Sequence, residues 1–176
     1  IYTVQNSYAP IPAVGRYDGG LSQLLRGDGN GHFVAVPVAA SNLVVPGDAK
    51  ALVVLDLDHD GWPDFLVSRN NATTLAFRHQ PSAGRHFLRV VLHGPAGNPT
   101  AVGAKISVAL ADGTTQTSEV FAGSGYYGQS SAAGFFGWPD GNPPKTIRVR
   151  WPDGTTTTHQ PPLGATTLSL QSPVAK

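Results

Sequence analysis

Val54-Leu55-Asp56-Leu57-Asp58-His59-Asp60-Gly61-Trp62-Pro63-Asp64-Phe65-Leu66-Val67 sets an acidic loop between two short apolar runs. The run that enters it, Ala49–Leu55, reads as a strand covered on both faces. The run that leaves it, Phe65–Ser68, reads as a second strand. Asp56, Asp58, Asp60 and Asp64 fall at loop positions 1, 3, 5 and 9, with Gly61 at position 6. Alternate residues of a tight loop turn their carboxylates toward one centre. Glycine at position 6 permits the sharp bend that brings the main-chain carbonyl of position 7, here Trp62, inward. Leu57 and His59 should point away.

Calcium, a hard cation that takes about 6–8 oxygen ligands, suits this donor set. Magnesium prefers to keep its waters, and zinc would call for Cys or a His pair in the loop. A surface turn rich in Asp is the plainer alternative, but carboxylates this close repel one another unless a cation sits among them. The site is not a helix-flanked one. Position 12 is Val67, which cannot ligate, so Asp64 has to stand in for the missing Glu, and the flanks are strands.

Working outward, the rest of the chain has the same character. Amphipathic helical periodicity is nearly absent, whereas short strand-like runs recur. They are Leu21–Leu25, Phe33–Val38, Thr74–Phe77, Phe87–Leu92, Lys105–Leu110, Thr114–Val120, Thr146–Trp151, Thr155–His159 and Thr166–Leu170. Ala111-Asp112-Gly113-Thr114 and Trp151-Pro152-Asp153-Gly154-Thr155 are hairpin turns by their chemistry, and Gly27-Asp28-Gly29-Asn30-Gly31 joins a third strand pair. Trp-Pro-Asp-Gly occurs at Trp138–Gly141 and again at Trp151–Gly154, and both copies read as turns. The 21 Gly and 15 Pro among 176 residues therefore punctuate strands. The composition shifts near Gln80-Pro81-Ser82-Ala83-Gly84, which sets a domain boundary between residues 1–84 and 85–176.

A net charge of +1 and the lack of a Lys/Arg run exclude a phosphate-backbone footprint, so no nucleic-acid partner is expected. No apolar run approaches the ~18 residues of a membrane-spanning helix. With no Cys there is neither a disulfide framework nor a thiolate metal site. The sequence has no Met, so the chain is expected to be a piece of a longer precursor.

Leu24-Leu25-Arg26-Gly27-Asp28-Gly29-Asn30-Gly31-His32-Phe33, taken with the acidic loop and its flanks, resembles an FG-GAP/VCBS repeat. Such repeats build the blades of calcium-binding β-propellers, including those of integrin α subunits. The second half resembles the ASPIC/UnbV domain that closes many such proteins, among them the cartilage acidic protein group. The residues that carry this are Ala101-Val102-Gly103-Ala104-Lys105-Ile106, Gly123-Ser124-Gly125-Tyr126, Gln129-Ser130-Ser131, Phe136-Gly137 and Val149-Arg150-Trp151-Pro152-Asp153-Gly154. The resemblance runs from about Arg16 to Thr158. It implies Ca2+, secretion, and binding or adhesion roles, with no established catalytic residues.

The expected fold is all-β, a propeller-blade-type calcium-binding repeat followed by a C-terminal β-sandwich- or barrel-like domain. The expected function is that of a secreted, extracellular, periplasmic or cell-surface binding module and not of an enzyme, with an extracellular protein or carbohydrate as partner. The rival reading is an accessory, carbohydrate-binding domain of a larger secreted enzyme; a third is a structural spacer. A lone blade leaves an N-terminal β edge, which the rest of the propeller, the second domain or a neighbouring chain would have to cover.

Tyr126, Tyr127, Phe135, Phe136, Trp138 and Trp151 form an aromatic-rich stretch, most of it core. Trp62 and Trp138, each before Pro in an expected loop, are with Tyr126 and Tyr127 the candidate sugar-stacking residues. Asp28 and Asn30 could serve a second cation but have the pattern of an Asx turn. Arg26-Gly27-Asp28 spells the integrin-recognition tripeptide, although a strand running into a Gly-rich turn explains it. Asn71-Ala72-Thr73 is a glycosylation sequon. The histidines have no zinc-like spacing. Ser124, Ser130 and Ser131 lack the strand-to-helix elbow of a hydrolase nucleophile.

Overall fold

The alternating runs and Asp-Gly turns are realised as strands and hairpins. The structure is a computed structural model describing residues 1–5, 13, 15, 20–161 and 164–173; Arg16, where the resemblance begins, lies outside them. Apart from one four-residue helix the described residues are all-β, in several sheets of which none is closed. The chain divides into two compact units. Ile1–Val54, Phe65–Phe77 and Ser124–Gln129 make the first. Leu55–Asp64, Arg78–Gly123 and Ser130–Lys176 make the second, which therefore holds the acidic loop.

In the first unit, strands β1 (Tyr2–Thr3), β2 (Gln23–Gly27) and β3 (Phe33–Val36) form an antiparallel sheet in that order. β3 stops where Pro37 begins a short helix α1 (Val38–Ser41), which ends at Asn42 in the left-handed region, φ 54°. The expected strand through Val38 is cut short there because Pro brings no N–H to a ladder. β4 (Ala49–Leu55), β5 (Asp64–Arg69) and β6 (Ala72–Phe77) form a second sheet, also in chain order. β4 departs from expectation. Among the described residues its one neighbour in the sheet is β5, and it is buried at Ala49 and only half-buried along the rest. Val45, Ala49 and Val67 are the buried heart of this unit, with Tyr2, Val4, Leu52, Leu75 and Phe77 packed on them.

The second unit contains β7 (Arg85–His93), β8 (Lys105–Leu110), β9 (Thr115–Glu119), β10 (Ala133–Pro139), β11 (Pro144–Arg150), β12 (Thr156–His159) and β13 (Thr167–Gln171). They pair as β10-β7-β13 and β12-β11-β8-β9. β13 runs parallel to β7, and the other pairs with assigned registers are antiparallel. Both sheets feed one core: Leu88, Val90, Leu92, Phe136 and Leu170 from the first, Ile106, Val108, Ile147 and Val149 from the second. The alternation in β8 and β11 sets Ile106 opposite Val149 and Val108 opposite Ile147, so each cross-strand pair is apolar and fully buried. Each such side chain contributes about 1.5–3 kcal/mol by leaving water.

Trp151 is fully buried beside them, and its indole N–H donates to Thr157 Oγ1 at 2.9 Å, which satisfies its polar atom. β10 was not expected from the sequence, and its glycines are the reason. A Cβ on Gly137 would meet the Phe87 ring at 2.7 Å, and one on Gly134 the Phe136 ring at 2.7 Å, so aromatic rings cover these strand glycines. Gln116 of β9 also clamps the main chain there: its Nε2 donates to the Gly137 carbonyl at 2.6 Å, and its Oε1 accepts from the Gly137 N–H at 3.3 Å.

Candidate metal centre

The loop leaves β4 after Leu55 and enters β5 at Asp64. His59, at φ 62°, and Gly61, at φ 89°, take left-handed conformations, and these fold the segment back on itself. At Gly61 glycine is required twice over. The conformation disfavours a side chain, and a Cβ would meet Thr166 Cβ at 2.7 Å and its carbonyl oxygen at 2.9 Å.

The bend gathers carboxylates. One oxygen each from Asp56, Asp58 and Asp64 lies within 4.8 Å of the others. Asp56 and Asp64 are buried, 8% and 1% exposed. Asp64 is held at both ends, its Oδ2 accepting from the Leu57 N–H at 2.8 Å and its Oδ1 from the His79 N–H at 2.7 Å. Asp56 Oδ2 accepts from the Gly61 N–H at 3.2 Å, whereas its Oδ1 is buried without a hydrogen-bond partner. A buried carboxylate oxygen without a donor is costly, and a cation beside it relieves that cost. Hard oxygen donors, one of them unfilled, fit calcium. Asp56, Asp58 and Asp64 would hold the ion.

The other two expected ligands are Asp60 and the main-chain carbonyl of Trp62. Asp60 is not part of the converging group; its Oδ1 accepts from the Trp62 N–H at 2.8 Å and closes a turn within the loop. Trp62 is buried, its ring stacked on His79 at 4.2 Å and 7° and tilted against Phe87 at 4.5 Å. Exposure before Pro was the expectation for Trp62, and the His79 and Phe87 rings overturn it by covering the indole. Trp138 lies in β10 and not in a loop, packed on the core and stacked with His86 at 6.1 Å. Tyr126 and Tyr127 are 64% and 83% exposed and form an edge-to-face pair at 4.4 Å, in the first unit.

Residues 94–176 match the family model described as ASPIC and UnbV. No curated protein matches the chain. The matched segment begins beyond the acidic loop and takes in β8 to β13. It also holds the hairpin turns Asp112-Gly113 and Asp153-Gly154. There Asp112 Oδ1 accepts from Thr114 N–H at 2.8 Å, and Asp153 Oδ1 from Thr155 N–H at 2.9 Å. The hydroxyl of the same Thr donates to each carboxylate and is the largest cause holding its pKa below the ordinary value.

Sequence reasoning missed the groups that surround the loop. Arg78 Nη1 is 3.1 Å from Asp58 Oδ2, and Arg89 Nε is 3.8 Å from Asp56 Oδ2. Neither pairing has a signature in sequence spacing. Asp28 behaves as the Asx-turn reading requires: Oδ1 accepts from the Asn30 and His32 N–H groups, and Oδ2 meets His32 Nδ1 at 3.1 Å. The backbone bond from Asn30 leads the causes that lower its pKa. Arg26 and Gly27 end β2 and Asp28 opens the turn, as a strand-to-turn reading of that tripeptide expects. No helix among the described residues is long and apolar enough to cross a membrane.

Proposed function

We propose that this is a secreted, non-catalytic binding or adhesion module whose Asp56–Asp64 loop holds a structural Ca2+. The observation that carries the reading is the buried, donorless Oδ1 of Asp56 within the convergent group of Asp56, Asp58 and Asp64. The ion would supply charge neutralisation to those carboxylates. The chain's own residues do the rest. Gly61 and His59 set the bend, the Leu57 and His79 N–H groups fix Asp64, and Asp60 closes the turn at Trp62. In this reading residues 1–84, which include the acidic loop, are the end of a calcium-binding propeller of FG-GAP/VCBS type. Residues 85–176 are a sandwich-like ASPIC/UnbV domain, and further blades or a neighbouring chain cover the exposed β edge.

Thermal melts with calcium and with chelator test this. If free calcium stands about 100-fold above the dissociation constant, linkage adds about 2.7 kcal/mol. For a chain of this size that raises Tm by roughly 5–10 °C. Equal midpoints in calcium and in chelator would refute a structural ion.

A second reading, the accessory carbohydrate-binding domain of a larger secreted enzyme, is favoured by one observation. Trp62, Phe87 and Trp138 line a single cavity of about 580 Å3, with Arg85 and His86 also in its wall. That size suits a small ligand. Binding on a glycan array that disappears in Trp138→Ala would support it.

A further inference from the structure

Two guanidinium groups already attend the three carboxylates, and they are not equivalent. Arg78 is 61% exposed at its side chain and makes a hydrogen-bonded ion pair with Asp58, whose side chain is 32% exposed. Arg89 is 24% exposed, approaches Asp56 only to 3.8 Å, and its Nε has no hydrogen-bond partner. The next residue after Arg78 is anchored, because the His79 N–H donates to Asp64 Oδ1 and the His79 ring stacks on Trp62. The Arg78 side chain can therefore leave Asp58 while the main chain beside it stays in place.

Resting on the calcium reading above, we infer that Arg78 is a tethered competitor for the cation and that Arg89 is a fixed counter-charge of the same site. A metal ion and a guanidinium seek the same carboxylate oxygen lone pairs and repel each other at that distance. Asp58 cannot serve both at full strength. The exposed pair is the one that yields, since an ion pair in water holds its partners weakly. Arg89 is partly buried and short of acceptors, so it stays. Three carboxylates opposed by Arg89 alone carry a formal charge of minus two, which a divalent ion neutralises. Arg78 thus sets the calcium concentration at which the loop fills, because ligand charge tunes the affinity of such sites. Filling the loop frees a basic side chain at the surface.

Calorimetric titration of calcium into the wild-type chain, Arg78→Gln and Arg78→Lys tests this. Arg78→Gln removes the competing charge and is expected to bind about two- to fivefold more tightly, with Arg78→Lys close to wild type. The chelated forms of all three should melt within a few degrees of one another, since only an exposed pair is lost. If the wild type binds calcium and Arg78→Gln binds no more tightly, the competitor role is overturned and the calcium site stands. If neither binds, both readings fall. Binding by Arg78→Gln alone would support the competitor role in its strongest form.

Discussion

Asp56 and Asp60 stand in the same loop, and their carboxylates have different work. Asp56 is buried with one oxygen unfilled, whereas Asp60 spends an oxygen on the Trp62 N–H. Spacing alone treats the two alike, because position in a loop does not reveal which lone pairs the main chain takes first. Asp56→Asn is expected to weaken calcium binding on the order of tenfold or more. Asp60→Asn is expected to change it by less than about threefold and to keep the turn closed, since its amide oxygen can still accept from Trp62. Titrations of the two variants side by side would check the contrast. Gly61 is the residue whose role was most legible, as position 6 of the loop demands φ above zero. The sequence held no hint of the second constraint, the close approach of Thr166. Gly61→Ala should cost about 1–3 kcal/mol in denaturant melts, through backbone strain and that contact together.

Among the elements, the hairpins were the easiest to read. Asp-Gly turns announce themselves, and β8–β9 and β11–β12 pair antiparallel around them. Their carboxylates make a pH-dependent contribution whose sign is fixed. The folded-state pKa of Asp112 and of Asp153 is lowered from 3.8 by Thr114 and Thr155 respectively. The stabilisation is therefore complete at pH values above the unfolded value and is lost as pH falls through the lower folded value. Asp153→Asn is accordingly expected to melt below wild type near neutral pH, with the gap closing toward strongly acidic pH. Thermal scans across that range would show it. β10 was the element hidden from sequence, because Gly134, Gly137 and Pro139 are strand breakers when read alone. Rings of Phe136 and Phe87 lying over those glycines reverse the local preference, and a local reading cannot see Phe87 arrive from another strand.

At the scale of the whole molecule, the all-β class was legible from turn spacing, but the assignment of segments to units was not. Ser124–Gln129 joins the first unit far from its neighbours in sequence. The side-chain-free Gly128 makes room for this: a Cβ there would meet Val53 Cγ1 at 3.0 Å and the Leu52 carbonyl at 3.2 Å. Such close approaches depend on tertiary packing, and no periodicity encodes them. The acidic loop, by contrast, showed in its spacing the convergence of Asp56, Asp58 and Asp64 on which the proposed calcium chemistry rests. Equilibrium dialysis against radiolabelled calcium, with the wild-type chain and Asp56→Asn in parallel, puts that chemistry to the most direct test. The account expects close to one ion retained per wild-type chain at free calcium a few-fold above its dissociation constant, and clearly less by the variant at the same free calcium. A wild-type chain that retains no ion, or a variant that retains as much as wild type, would contradict it.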